Sequence, residues 1–384
     1  MQYTLLSQKF PGEYSKKDSY EYYLPGNIFL AKDLKTEFKL QQQLERATLA
    51  LGKFSAKITN IPNINFFISS YLKKEATQSS KIEGTQTEID EAFQEDANEI
   101  ATEKRNDWRE LQQYTIALKA AIQGLTNLPL CGRLIRQTHK ILLSQNRGKH
   151  KSPGEYRQSQ NWIGGSRPDN AHFVPPPPKS IGECMKNLED FIHDSATPIP
   201  DLIKIALIHY QFETIHPFLD GNGRIGRMLI PLYLLEKKIL DQPILYISDF
   251  FEKNRNSYYD ALDRARDNQA GLIKWISFFL DGVISTANEG MKTTKKITEL
   301  EDKIYKKKLP ALGKKAKNGQ KLAAFLFQQP FVNSIKVRKE LEIKSSAAQT
   351  LLAEFVTTGI LQEITGQKRN RVFVFEDYLK ILRK

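Results

Sequence analysis

Cysteine is scarce in this chain of 384 residues, which contains only Cys131 and Cys184. Two cysteines cannot build a disulfide framework or a four-cysteine metal site. The chain also lacks an unbroken run of roughly 18 apolar residues, and its start lacks the basic, apolar and small-residue order of a signal peptide. We therefore expect a cytoplasmic protein that neither spans nor binds a membrane.

Acidic residues are outnumbered, with 44 Asp and Glu against 57 Lys and Arg, which gives a formal net charge of +13. Much of the excess lies late in the chain, at 306–308, 314–321, 336–339 and 368–371. A basic surface of this kind fits an acidic partner such as nucleic acid, and it equally fits a solvated surface without a partner. Composition leaves both interpretations open.

Helical spacing of apolar residues dominates the first two thirds of the chain, at 101–121, 202–215 and 228–240. The proline run at 175–178 interrupts this pattern, and it excludes helix and favours an extended segment. The short stretch before it, at 171–174, fits a hairpin or flap. The sequence predicts a mainly α fold with a small β-hairpin flap beside a helical body.

After a Lys- and Thr-rich connector, the pattern changes to three short helices followed by two alternating strands. The helices are predicted at 322–327, 334–341 and 345–358, and the strands at 360–364 and 371–375. Ser345 is the N-cap candidate of the third helix. Helix, helix-turn-helix and a basic hairpin is the order of a winged helix.

These patterns divide the chain into four predicted parts. They are an N-terminal helical region at 1–100, a helical core at 101–285, the connector at 286–318 and a winged helix-turn-helix domain at 319–384.

The most informative string in the chain lies between two apolar helical segments. It reads His216, Pro217, Phe218, Leu219, Asp220, Gly221, Asn222, Gly223, Arg224, Ile225, Gly226 and Arg227. A glycine-rich turn that enters a helix points backbone N–H groups and the positive helix end at an anion. The string therefore predicts a phosphate cradle.

The charged residues of this string suit chemistry on a nucleotide phosphate. Arg224 and Arg227 are three residues apart and can both reach phosphate oxygens, and Asp220 can hold a bridging Mg²⁺. His216 has an ordinary pKa near neutrality, which suits it to take a proton from an incoming hydroxyl. We expect a hydroxyl to attack a nucleotide phosphate here.

The string resembles the signature of the Fic family, H-P-F-x-D/E-G-N-G-R-x-x-R, at every defined position. The resemblance extends from Lys53 to Asp281. It implies an α-helical bundle with the signature in a loop between two central helices. It also implies transfer of AMP from ATP to a Ser, Thr or Tyr hydroxyl of a protein, with ATP and Mg²⁺ required.

The resemblance assigns a role to each residue of the string. It implies that His216 is the base and that Asp220 is the Mg²⁺ ligand. It implies a nucleotide-binding loop of Pro217, Phe218 and Leu219, and a cradle for the α- and β-phosphates of Gly221, Asn222 and Gly223. It also implies that Arg224 contacts the β-phosphate and that Arg227 contacts the γ-phosphate. Doc-like toxins, which transfer phosphate, have lysine at the position of Gly223. Glycine at this position therefore favours AMP transfer.

A second family element precedes the signature. The sequence from Ser79 to Gly84 is similar to the inhibitory motif S/T-x-x-x-E-G/N, which implies an inhibitory helix at about 70–90 in the same chain. A Glu83 carboxylate beside Arg227 would neutralise the charge meant for the γ-phosphate and would repel the phosphates. We therefore expect ATP to bind in an unproductive pose and the chain to inhibit itself.

Two further features resemble family elements less specifically. The segment at 161–174 is similar to the family's flap, which pairs with the target chain by main-chain bonds. Tyr258 and Tyr259 match a tyrosine pair that lies near the adenosine, although two core tyrosines fit the pattern equally well. His209, on an apolar helix, is predicted to be a core residue.

Two functions of different class follow. The first is an autoinhibited AMP transferase that modifies a protein, including itself. The alternative is a DNA-binding transcriptional regulator in which the winged helix binds DNA and the Fic domain senses nucleotide. Lys368, Arg369 and Arg371 on the wing tip are predicted phosphate contacts, but the third helix begins with uncharged polar residues. We rank the enzyme first because no signature position is degenerate, and we leave open a homodimer.

Overall fold

The structure is a computed structural model, and it describes residues 4–17, 19–34, 37–59, 64–94, 100–145, 147–367 and 369–383. The helices are α1 (Phe38–Thr59), α2 (Ile64–Ile82), α3 (Ile89–Ala92), α4 (Arg105–Gly124), α5 (Gly132–Leu143), α6 (Pro178–His193), α7 (Asp201–Ile215), α8 (Asn222–Glu236), α9 (Ser248–Lys253), α10 (Arg255–Asp267), α11 (Gln269–Lys303), α12 (Ala316–Gln328), α13 (Ser334–Leu341), α14 (Ser345–Thr357) and α15 (Glu376–Leu382). The strands are β1 (Gly12–Lys17), β2 (Tyr20–Pro25), β3 (Phe331–Asn333), β4 (Gln362–Glu363) and β5 (Val372–Val374). The predicted mainly α fold is confirmed.

Helix α7 lies at the centre of the molecule. Every residue from Leu202 to Ile215 is buried, which agrees with a helix that carries apolar residues on every face. Helix α8 packs against α7 and is buried over most of its length, and α11 packs against α7 through a hydrogen bond from Trp275 Nε1 to the Ala206 carbonyl at 2.9 Å. The signature therefore lies in a loop between two central helices, as the resemblance implied.

Two features near the flap differ from the sequence-based expectation. Strands β1 and β2 form an antiparallel hairpin in the N-terminal region, which was expected to be helical, and the Tyr23 N–H donates to the Val174 carbonyl at 2.8 Å. The flap itself is held by an isolated bridge between Ile163 and Phe173. Pro178 opens α6 instead of extending the proline run, because proline at the first helical position loses no hydrogen bond.

Helix α11 continues for 35 residues into the predicted connector, and irregular helical turns follow as far as Lys315. Among the described residues, one helical segment, Gln269–Gln328, is long and apolar enough to cross a membrane when judged by length and composition alone. Half of its most apolar window is buried inside the protein, and Trp275 and Phe279 are fully buried. The buried apolar residues of this helix belong to the core.

The C-terminal unit, residues 316–383, contains α12 to α15 and a three-stranded antiparallel sheet in the order β3-β5-β4. The predicted order of three helices and two strands is present, with β3 as an additional strand. Lys344, not Ser345, is the N-cap of α14, and Ser345 is its first helical residue. Lys368 on the predicted wing tip lies outside the described residues.

The C-terminal unit packs directly on α2 and α3. The hydroxyl groups of Tyr378 and Ser70 lie 2.6 Å apart in the interior. Gln329 Nε2 donates to the carbonyl of the buried Phe93 at 2.9 Å. Helix α2, which carries Ser79 at its other end, is therefore held between this unit and the core helices.

Candidate active site

The loop between α7 and α8, here called the signature loop, runs from His216 to Gly221. His216 ends α7 in the left-handed conformation, with φ 48° and ψ 60°, which is unfavourable for a residue with a side chain. Gly221 is also left-handed, with φ 78°, and it precedes the first residue of α8. Two left-handed residues therefore turn the chain sharply between the two central helices.

Asn222 braces the signature loop. Its side-chain amide exchanges two hydrogen bonds with the Phe218 backbone, both at 2.8 Å, and Asn222 itself is 2% exposed. Pro217 and Phe218 are buried, whereas Leu219 is partly exposed. The Phe218 ring stacks on His139 with 3.8 Å between ring centroids. The structure therefore gives Asn222 and Phe218 internal partners that hold the loop.

The phosphate cradle is predicted at the N-terminus of α8. The N–H groups of the first helical turn have no acceptor within a helix, so they can bind an anion. A side chain at position 223 would place its Cβ 2.3 Å from Glu83 Oε1 and 2.9 Å from Arg227 Nη1, so it would displace the paired ends of these two side chains. The Glu83 carboxylate thus lies over the helix end that is predicted to bind phosphate.

The structure brings together the two predicted inhibitory residues and Arg227. Arg227 Nη2 donates to Glu83 Oε1 at 2.6 Å and to the Ser79 carbonyl at 2.9 Å, and its Nε donates to Ser79 Oγ at 2.8 Å. The Arg227 side chain is 1% exposed. Helix α2 ends at Ile82, so Glu83 lies in the following turn and not on the helix.

The ion pair shifts both pKa values in the direction that keeps both groups charged. Burial alone would raise the pKa of Glu83, but the charge and hydrogen bond of Arg227 hold it below its usual value. Burial alone would lower the pKa of Arg227, but the Glu83 charge raises it. The cation predicted for the γ-phosphate is therefore neutralised by a carboxylate.

Arg224 is also paired with carboxylates. Its Nη1 lies 3.3 Å from Glu110 Oε2 and its Nη2 lies 3.2 Å from Asp220 Oδ1, and its side chain is 6% exposed. Sequence reasoning missed Glu110, which lies on α4. The available signal was a carboxylate within the apolar spacing of Trp108 and Leu111, where an acidic residue needs a partner.

Asp220 has a carboxylate that a magnesium ion could reach from solvent. Its carboxylate is 40% exposed, although Oδ1 also accepts a hydrogen bond from the Gly221 N–H at 2.6 Å. Within the described ranges, no group of three or more His, Cys, Asp or Glu side chains could hold a metal ion. Mg²⁺ commonly takes one or two carboxylates and completes its shell with phosphates and water. The residues present therefore fit a metal that binds together with a nucleotide.

The His216 imidazole is neutral at physiological pH. Burial, followed by the nearby charge of Arg157, lowers the pKa of His216 to about 4. Its Nδ1 lies 3.4 Å from the Glu213 carbonyl, which can only accept, so Nδ1 carries the proton. Nε2 is then the nitrogen that can accept a proton from an incoming hydroxyl.

The structure separates the two predicted adenosine tyrosines. Tyr258 is 1% exposed, and its hydroxyl donates to His209 Nε2 at 2.9 Å. Tyr259 is 40% exposed, and its hydroxyl lies 3.5 Å from the carbonyl of Ile82, next to Glu83. A contact of either ring with adenosine stays a prediction. His209 is fully buried, as predicted, and burial lowers its pKa to about 3.

Glu213 is a buried carboxylic acid that the sequence did not single out. It lies one helical turn before His216, and its Oε1 has no hydrogen-bond partner among the described residues. A Cβ at Gly226 would lie 2.1 Å from this oxygen, so α7 and α8 approach closely here. Burial raises the pKa of Glu213 from 4.5 to about 7.

This shift predicts a pH-dependent stability. Between pH 4.5 and about 7, folded Glu213 keeps a proton that the unfolded chain has released, so stability falls as pH rises through this window. Glu213→Gln should remove that dependence and raise the free energy of unfolding at pH 8 by about 3 kcal/mol, with little gain at pH 4. Urea unfolding of the unmutated protein and of Glu213→Gln at pH 4 and pH 8 measures this difference in the free energy of unfolding. A gain of equal size at both pH values would contradict the assignment.

Comparisons with known proteins agree with this geometry. Residues 129–234 match the model of the Fic/DOC family, and residues 41–123 match the model of the Fic/DOC family N-terminal region. A probable protein adenylyltransferase of Aquifex aeolicus is 32% identical over 126 residues, which are 33% of this chain and 35% of that protein. Protein adenylyltransferase Fic of Drosophila willistoni is 30% identical over 129 residues, which are 33% of this chain and 23% of that protein.

The matched region is thus about a third or less of the length of these curated relatives. A crystal structure of a Fic family protein from Desulfovibrio desulfuricans G20 superposes with a TM-score of 0.55 at 16% identity, covering 89% of this chain and 97% of that one. At this identity, the likeness concerns the fold alone. The chain carries a Fic/DOC domain at 129–234, and the resemblance stated from the signature is confirmed for this region.

Proposed function

We propose that the chain, with its Fic/DOC domain as the catalytic part, transfers AMP from ATP to a hydroxyl side chain of a protein. The observation that carries this proposal is the position of Glu83. A carboxylate lies over the N-terminus of α8 and binds Arg227, so an anion already occupies the place predicted for the ATP phosphates. A site in which a carboxylate lies near a helix N-terminus and bonds to a guanidinium suits phosphate oxygens.

The proposed reaction is a direct displacement at the α-phosphorus. A hydroxyl oxygen of the target forms a bond to the α-phosphorus, and the bond from that phosphorus to the oxygen of the β-phosphate breaks. The hydroxyl proton passes to His216 Nε2, and pyrophosphate leaves. Mg²⁺ would neutralise phosphate charge when bound with the nucleotide through Asp220. The neutral imidazole of His216 is in the protonation state that this step needs.

The same contact supports autoinhibition in the form expected from the sequence. With Arg227 bonded to Glu83 and Ser79, its guanidinium is not available for the γ-phosphate. Transfer then requires Glu83 to leave Arg227. We infer that self-modification by the unmutated protein is slow and that release of Glu83 raises it.

Incubation with ATP labelled in its adenine ring tests the activity against the alternative function. A transferase should place the label covalently on itself and on proteins of a cell lysate, and mass spectrometry of lysate treated with a Glu83→Gly variant should identify the targets and modified residues. A regulator that only senses nucleotide would leave every protein unlabelled after denaturation. That result, with the Glu83→Gly variant included, would overturn the proposal.

We further propose that residues 319–384 form a winged helix, with the hairpin of β4 and β5 as its wing. The support is the order of α12, α13 and α14 before an antiparallel sheet. Arg369 and Arg371 are exposed at the start of β5, where they can reach phosphates. Such a surface serves either DNA or a protein, and its charge favours an acidic partner.

DNA binding by this wing has a defined salt signature. Each phosphate contact contributes about 0.9 to the slope of log affinity against log salt, so replacing Arg369 and Arg371 by Ala should reduce that slope by about 2. Mobility shifts of a mixed duplex DNA over a salt series measure it, and Lys380→Ala on α15 is a basic control outside the wing. Absent shifts at low salt, or shifts unchanged by both replacements, would make the wing a protein-contact element.

A further inference from the structure

Arg157 lies outside the signature, but its side chain is in the interior beside the signature loop. It is 1% exposed. Its guanidinium donates hydrogen bonds to main-chain carbonyls of four residues, Ser159, Pro176, Ile215 and His216. Burial lowers the pKa of Arg157 to about 10, which leaves it charged at neutral pH. A buried guanidinium aimed at carbonyls fixes backbone geometry through its rigid fork of donors.

Arg157 binds three consecutive carbonyls around the left-handed turn. Its Nε donates to the His216 carbonyl at 2.9 Å, and its Nη2 donates to the Ile215 carbonyl at 3.5 Å. Its backbone N–H donates to the Pro217 carbonyl at 2.9 Å. His216 holds the unfavourable φ of 48° in the middle of these bonds. Strained positions of this kind persist when surrounding contacts fix them.

The same guanidinium also binds both ends of the flap. Nη1 donates to the Ser159 carbonyl at 3.3 Å, just before the flap, and Nη2 donates to the Pro176 carbonyl at 2.5 Å, just after it. One side chain therefore joins the flap, which is proposed to hold the target, to the turn that carries His216. Their separation governs whether a target hydroxyl lies within reach of the imidazole.

The remainder of the signature loop has other partners. His139 Nε2 donates to the Asp220 carbonyl at 2.9 Å, and Asn161 Nδ2 donates to the Phe218 carbonyl at 2.9 Å. His139 Nδ1 accepts from the Gly154 N–H, so its tautomer is fixed. Loss of the Arg157 bonds should therefore leave the cradle end of the loop in place and release the His216 end.

We propose that Arg157 is a positioning residue for the transfer reaction, which holds His216 in its left-handed turn and sets the flap at a fixed distance from it. This inference rests on the proposed function, since it assigns a role within that reaction. Its physical part, the control of the His216 backbone and environment, can be measured without any turnover.

The charge of Arg157 affects the pKa of His216, which can be measured without turnover. The charged groups that act on the His216 imidazole are Arg157 from before the flap, Glu83 after α2 and Arg266 on α10, and Glu213 on α7 supplies a carbonyl. Arg157 and Arg266 lower the pKa of His216, whereas Glu83 raises it. Removing the Arg157 charge should therefore raise the pKa of His216 from about 4.

The experiment compares Arg157→Lys, Arg157→Met and the control Arg136→Met, an exposed arginine on α5, all in the Glu83→Gly background. Self-transfer gives kcat and the KM for ATP, and imidazole NMR titration gives the pKa of His216, assigned by a His216→Gln variant. We expect Arg157→Lys, which keeps charge but loses the fork, to lower kcat about ten- to a hundredfold with KM changed less than about threefold. Arg136→Met should change neither value.

The pKa of His216 shows whether Arg157 positions His216 or whether its replacement disrupts the structure as a whole. His216 should titrate near its original pKa in Arg157→Lys and at higher pH in Arg157→Met, while His139 stays unchanged. If Arg157→Met does not fold, Arg157→Lys alone decides through the split between kcat and KM. An unchanged kcat in the Lys variant, or an equal loss of kcat and ATP affinity, would overturn the proposal. Absence of AMP transfer in the parent, with the His216 pKa still responding to Arg157, would instead refute the proposed function.

Discussion

Replacing Glu83 by Gly is expected to raise AMP transfer, including self-transfer, roughly ten- to a hundredfold. The physical reason is the release of Arg227, which then makes a charge-assisted contact with the γ-phosphate worth about 1.5–3 kcal/mol. In the structure this guanidinium is bonded to Glu83 at 2.6 Å and is buried, so it has to exchange partners before it can bind phosphate. Initial rates at saturating ATP and Mg²⁺ measure the effect.

The gain must depend on Arg227. In the Glu83→Gly background, Arg227→Ala should lose the activation, because the group that glycine released is no longer present. Glu83→Gln should fall between the two, since the amide keeps a hydrogen bond to Arg227 and loses the charge. Equal rates for the unmutated protein and Glu83→Gly would show that Ser79 to Gly84 is only part of the scaffold.

Replacing His216 by Ala is expected to lower transfer by about 10²–10⁴-fold, the range of a lost general base, while ATP binding stays nearly intact. ATP binding should persist because the proposed phosphate contacts come from Arg227 and the N-terminus of α8, and not from the His216 side chain. Transfer rates and ATP titration should be measured on the Glu83→Gly background, where the parent rate is high. Activity within about tenfold of the parent would remove His216 from the proton transfer.

The pH profile of the parent checks the same assignment. A base with a pKa near 4 is neutral throughout the physiological range. Titration of His216 should therefore not change the rate between pH 6 and 8, and should lower it only in acid. An ordinary histidine would instead cause a loss of rate near pH 6.5. A decline centred there that persists in both the His139→Gln and the Glu213→Gln variants would contradict the environment described for His216.

The sequence predicted those parts of the site that depend on local spacing. The signature residues are contiguous, so their order alone predicted a loop between two helical segments with a glycine-rich turn that enters the second helix. The partnership of Glu83 with Arg227 came from the resemblance, since nothing local connects residues so far apart in the chain. The structure adds that α2 ends at Ile82, so Glu83 lies in the turn after the helix and not within the predicted inhibitory helix at about 70–90.

The residues that sequence reasoning missed act through tertiary contacts. Arg157 and Glu110 carry no local pattern that names their partners, and each is defined by groups on distant segments. The β1–β2 hairpin was missed because its residues are mostly half-buried and mixed in polarity, so alternation is weak. The N-cap of α14 differed by one residue, which is within the usual uncertainty of helix ends.

The central claim, that this site transfers AMP and not phosphate, is tested most directly by the position of the label in ATP. The Glu83→Gly variant should be incubated in parallel with ATP labelled at the α-phosphate and with ATP labelled at the γ-phosphate, and the protein should then be denatured and freed of nucleotide. Stable label from the α-phosphate alone, lost in the double variant with His216→Ala, is the predicted result. Label from the γ-phosphate, or no label from either, would contradict the account.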